Sequence, residues 1–96
     1  MSSEGDSQAV TTRVVLKNRL GMHARAAALF AKTASRYRSD IWVIKDSDAV
    51  NGKSIMGILT LIAPRGSVLT IKARGDDAEL ALRELVHLVE SKFGEE

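Results

Sequence analysis

His23 is the residue of this chain whose neighbours could do chemistry. It lies in Leu20-Gly21-Met22-His23-Ala24-Arg25-Ala26-Ala27, where a glycine precedes the imidazole and an alanine-rich run follows it. Alanine favours helix, so the stretch predicts a loop that becomes a helix start at His23. The first amides of a helix have no intrahelical partners and carry the positive end of its dipole, which makes such a position an anion site. Gly21 can let the backbone approach a ligand closely. The imidazole adds a nucleophilic nitrogen, and Arg25 adds a permanently charged guanidinium suited to phosphate oxygens. Together these residues read as phosphoryl capture on His23. A lone histidine in a small domain is more often a surface or core residue without chemistry, so the octapeptide needs a second feature beside it.

That feature is Val50-Asn51-Gly52-Lys53-Ser54-Ile55-Met56-Gly57. With His23 and Arg25 it resembles the histidine-containing phosphocarrier (HPr) family of the bacterial phosphoenolpyruvate-dependent phosphotransferase system, over about Val14 to Phe93. In that family a Gly-x-His-x-Arg stretch holds the phosphorylated histidine and a Lys-Ser-Ile-Met-Gly stretch holds a regulatory serine. The resemblance implies that Nδ1 of His23 takes a phosphoryl group from enzyme I and passes it to enzyme IIA domains. Such a protein is a relay with a covalent phosphohistidine, not a turnover catalyst. It further implies Arg25 and the backbone amides of Ala24 and Arg25 as phosphate ligands. Ser54 would be the target of HPr kinase/phosphorylase. Ala28, Ile55, Met56 and Leu59 would dock partners, with Arg25 and Lys32 facing acidic ones.

No cofactor and no metal is implied for this chain; magnesium would belong to the kinase. The family commonly has proline directly after the arginine, and here Ala26 stands in its place, which predicts a looser first turn. Two other classes stay open: a regulatory module of the nitrogen-related branch that moves no sugar, and a domain that binds an anionic metabolite without being phosphorylated.

The elements that must position these residues can be read in order. Val10 to Lys17 is rich in β-branched residues, with Val14 and Leu16 opposite Arg13, Val15 and Lys17, and predicts a first strand. Asn18 to Met22 is the loop that delivers His23. Ala24 to Arg38 predicts a helix with a stripe through Ala27, Phe30, Ala31, Ala34 and Tyr37. Ile41 to Ile44, a Lys45-Asp46-Ser47-Asp48 turn signal and Ala49-Val50-Asn51 predict a hairpin, where Trp42 is expected to pack rather than to stack on a ligand. Ser54 predicts an N-cap for a short helix over Ile55 to Ile62, with Pro64 beyond it; cap and modification site are both open readings. Leu59 lies three and four positions after Met56 and Ile55, so core packing and docking compete. Ser67 to Ala73 alternates Leu69, Ile71 and Ala73 against Val68, Thr70 and Lys72, a strand with one wet face. Gly75-Asp76-Asp77 opens a last helix with a stripe through Ala78, Ala81, Leu82, Leu85, Val89 and Phe93, leaving His87 to solvent. Gly94-Glu95-Glu96 is expected to fray.

This order predicts an α+β open-faced β-sandwich, a four-stranded antiparallel sheet covered on one face by three helices, as in the HPr family. Residues 1–9 are expected to be a disordered tail and 10–96 one domain, since 96 residues suffice for a single modest core. The chain has no cysteine, which excludes disulfide and thiolate chemistry. No apolar run nears the length of a membrane span, and the first ten residues lack the order of a secretory signal, so a cytoplasmic location off the membrane is expected. A charge of +2, from 14 basic and 12 acidic residues, with few aromatics, argues against nucleic acid. A monomer is expected.

Overall fold

Alternation of side chains along the strands decides which face of the sheet is covered. In a computed structural model that describes residues 9–95, β1 (Ala9–Val15), β2 (Asp40–Lys45), β3 (Asp48–Asn51) and β4 (Val68–Arg74) form one antiparallel sheet in the order β1-β4-β2-β3. Val14, Ile41, Val43, Leu69, Ile71 and Ala73 are buried on the inner face. Arg13, Val15 and Val68 stay exposed, as a two-residue period requires. β2 and β3 turn tightly through Asp46 (φ 55°) and Ser47, with Lys45 opposite Asp48. The architecture is thus the α+β open-faced sandwich that the patterning predicts.

Three helices cover the inner face: α1 (Ala24–Ala34), α2 (Ile55–Leu59) and α3 (Ala78–Glu90). Burial of Ala26, Ala27, Phe30, Ala31 and Ala34 gives α1 a stripe of small residues around one ring. Ala78, Ala81, Leu85 and Val89 bury the corresponding stripe of α3. None of these helices is long and apolar enough to cross a membrane.

Several boundaries differ from the sequence reading. β1 begins at Ala9, and the rest of the expected tail lies outside the described residues. Leu16 follows β1 rather than belonging to it, yet is fully buried. α1 stops at Ala34, not Arg38, because Arg36 and Tyr37 donate to Thr33 and Ala34 in tight turns. The next backbone amides, of Arg38 and Ser39, are taken by the Asp77 carboxylate at 2.9 and 3.0 Å. That carboxylate also accepts from the Ser39 hydroxyl, the main reason its pKa is lowered, with the Arg38 amide next. α2 stops at Leu59, and Ile62, expected inside it, has a left-handed backbone (φ 49°). Phe93 is buried as expected, but from a 3-10 turn, Lys92–Gly94, that follows α3.

Candidate functional site

His23 immediately precedes the first turn of α1. Its backbone is extended (φ −81°, ψ −179°), and its side chain makes no capping bond. The Ala27 N–H donates to the His23 carbonyl at 2.8 Å. The amides of Ala24, Arg25 and Ala26 therefore lie ahead of the helical ladder, at the positive end of the dipole. The first turn carries no acidic residue to offset that field. Proline would cost no ladder bond at Ala26, although the Ala26 side chain is fully buried.

The loop before His23 is fastened to the segment before β4. Leu16 N–H donates to Ser67 O at 2.9 Å, Gly66 N–H to Leu16 O at 2.7 Å, and Met22 N–H to Ala63 O at 2.8 Å. Gly21 has φ +64°, and a Cβ there would come within 2.5 Å of Ala63 O. Its freedom therefore serves the close approach of two backbone segments. Asn18, fully buried, donates from Nδ2 to Gly21 O at 2.7 Å, while its Oδ1 is buried without a partner among the described residues.

The end of the chain returns to this loop. Lys92 and Phe93 both have left-handed backbones (φ 60° and 57°), and buried Phe93 anchors the turn. Glu95 then reaches His23, with Oε2 2.7 Å from Nε2, and its Oε1 accepts from Asn18 Nδ2 at 3.2 Å. The two side chains are 26% and 18% exposed. Burial pushes the Glu95 carboxyl up, but hydrogen bonds from His23 and Asn18, with the charge of Arg25 and that of the His23 ring when it is protonated, outweigh it and hold the group below its ordinary value. The expected fraying over Gly94-Glu95-Glu96 is corrected for Glu95; Glu96 lies outside the described residues.

A shallow depression of about 260 Å³ is lined by Arg19, Leu20, His23, Arg25 and Glu95. His23 and Arg25 are thus brought together as the sequence reading expects, with Arg19 as a second cation and Glu95 as a carboxylate that it missed. Arg19 precedes the octapeptide directly and could have been found by adjacency. Glu95 lies 72 positions from His23, and no local spacing reveals such a contact. A neighbouring apolar groove of about 330 Å³ is lined by Leu20, Met22, Leu59, Ile62, Ala63 and Pro64. Of the expected docking residues, Lys32, Ile55 and Met56 are exposed, Ala28 is half-buried, and Leu59 packs partly on the core. Leu20 and Ile62, 64% and 78% exposed, were not foreseen.

Ser54 is the N-cap of α2, its Oγ accepting from the Gly57 N–H at 3.0 Å. Trp42 neither joins the core nor lines the depression at His23. It lies half-buried on the outer sheet face, with Lys72 Nζ and Arg74 Cζ 5.3 and 5.5 Å from its ring centre. His87 is exposed on α3.

Comparison with known proteins shows the family. The family model of the PTS HPr component phosphorylation site matches residues 10–91. The phosphocarrier protein HPr of Neisseria meningitidis serogroup A is 46% identical over 78 residues, 81% of this chain and 88% of that protein. Among solved structures, HPr-C-His from Thermoanaerobacter tengcongensis has a TM-score of 0.88 and 53% identity, covering 91% of this chain and 98% of its own. An HPr from the same organism, described as a dimer, has a TM-score of 0.73 and 55% identity, covering 85% and 94%. The chain therefore belongs to the HPr family, the phosphocarriers of the phosphotransferase system.

Proposed function

We propose that this protein is a cytoplasmic phosphoryl carrier in which His23 accepts a phosphoryl group from enzyme I and yields it to enzyme IIA domains. The observation that carries this reading is an imidazole at the start of α1, beside three amides ahead of the helical ladder and the Arg25 guanidinium. In acceptance, the Nδ1 lone pair attacks phosphorus, the N–P bond forms, and the bond between phosphorus and the donor breaks. Donation reverses the roles. The carrier stabilises the moving charge without trapping it. A charge-assisted hydrogen bond from Arg25 contributes about 1.5–3 kcal/mol and a helix terminus up to about 2 kcal/mol. The amides of Ala24 and Arg25 cradle the group beside the guanidinium. Partners dock on the exposed side chains of Ile55 and Met56 together with half-buried Leu59 and Ala28, while Arg25 and Lys32 meet acidic surfaces.

Ser54 is proposed as the site where HPr kinase/phosphorylase regulates the carrier, over and above its capping role. The protein acts as a monomer in this reading; the dimeric relative makes the oligomeric state a quantity to measure by sedimentation. The test is incubation with enzyme I and labelled phosphoenolpyruvate. Wild type is expected to take up acid-labile, base-stable label, and His23→Ala to take up none while staying folded. Arg25→Ala should slow acceptance and donation with thermal stability nearly unchanged. Label retained by His23→Ala would overturn the assignment, and an unlabelled wild type would leave an anion-binding domain.

A further inference from the structure

A neutral imidazole has one nitrogen that carries hydrogen and one that offers a lone pair, and a partner on one nitrogen decides the role of the other. Here the partner of Nε2 is the Glu95 carboxylate, 2.7 Å away. An ionised carboxylate only accepts hydrogen bonds. In the neutral ring Nε2 is then the donor, which leaves Nδ1 as the bare nitrogen. We propose that Glu95 is a positioning residue for His23, fixing the ring proton on Nε2 and presenting Nδ1 as the nucleophile, with Asn18 holding the carboxylate in place.

This inference rests on the phosphocarrier reading above and names a residue that reading does not use. Three observations support it. Glu95 is not a loose end, because buried Phe93 and two left-handed residues set its position. Its second oxygen is engaged by Asn18, whose side chain also holds the Gly21 carbonyl just before the site, so one amide ties the carboxylate to the loop that carries His23. Asn18 is fully buried with Oδ1 unpartnered, an arrangement that packing alone would not favour. During acceptance the Nδ1 lone pair forms the bond to phosphorus as the donor's bond breaks. No proton leaves the ring. The positive charge that develops on the imidazole falls at the Nε2–H, against Glu95, and when the group is passed on the same proton remains and the ring returns to neutrality.

The experiment compares wild type, Glu95→Gln, Glu95→Ala and Glu95→Asp by two readouts. The first is the ¹⁵N spectrum of the unphosphorylated histidine ring, which distinguishes the Nε2–H from the Nδ1–H tautomer and needs no enzyme. Wild type should show Nε2–H alone with a slowly exchanging ring proton, Glu95→Ala should lose that protection and show both tautomers, and Glu95→Asp should restore it in part. The second is enzyme I-dependent phosphorylation of His23. Removing one partly exposed charge-assisted bond should lower the maximal rate about 3- to 10-fold for Glu95→Ala, with KM for enzyme I unchanged. Glu95→Gln, which keeps an acceptor without the charge, should fall between. A wild-type rate together with unchanged ring spectra in Glu95→Ala would overturn the proposal, as would faster phosphorylation, which would make Glu95 a shield over His23. If wild type takes up no label, the phosphocarrier reading fails, and the ring spectra still decide whether Glu95 sets the tautomer.

Discussion

His23 and Ser54 each stand just before a helix, but only Ser54 spends its side chain on capping. His23 makes no capping bond and gives its ring to Glu95, so removing it should change stability by about 1 kcal/mol, the upper range for a partly exposed ion pair. Ser54→Ala should cost about 1 kcal/mol, measured by urea titration, because the Gly57 amide loses its acceptor. Ser54→Asp keeps an acceptor and adds a negative charge beside exposed Ile55 and Met56. Its enzyme I-dependent phosphorylation at His23 is expected to be slower than wild type, with the deficit shrinking as salt rises; Ser54→Ala should match wild type. Equal rates at all salt concentrations would leave Ser54 a cap alone. Both residues were legible because their signals are local: a small polar residue before an apolar turn, and an imidazole with an arginine two positions on.

Elements were legible where periodicity is clean and blurred where long-range contacts intervene. β4 alternates without a break, and Leu69, Ile71 and Ala73 are buried as read. The end of α1 was misplaced because the Asp77 carboxylate, 38 and 39 positions away, takes the amides that would have continued it. Helical propensity could not foretell that competition. Glu95 was missed for the same reason, since Phe93 and a left-handed turn, not a local pattern, carry it to His23. The first turn of α1 is where the chain departs from the family pattern, and it offers a test. Ala26→Pro should be tolerated within about 1 kcal/mol, because the amide lies ahead of the ladder. It should also speed phosphoryl transfer by stiffening the turn that carries the proposed phosphate ligands. Strong loss in thermal unfolding would show that the buried Ala26 pocket leaves no room for the ring.

At the scale of the molecule, two carboxylates join segments far apart in sequence: Asp77 to the Arg38–Ser39 link, and Glu95 to the His23 loop. Both are held below their ordinary values, so each contributes stability that is present above the ordinary carboxylate range and lost as pH falls through the lowered folded value. Urea midpoints should therefore begin to drop as the pH enters the ordinary carboxylate range and go on dropping until it passes the lowered folded values. Asp77→Asn should flatten part of the drop, as should Glu95→Gln; an unchanged acid limb in both would show that other groups govern it.

Trp42 has a consequence for how all of this can be watched. It is the one tryptophan in the chain, and it lies across the sheet from the helices, between Lys72 and Arg74. Its emission senses the outer sheet face. A single unlabelled fluorescence signal should thus follow loss of the sheet in each variant proposed above, since none of them alters Trp42, Lys72 or Arg74.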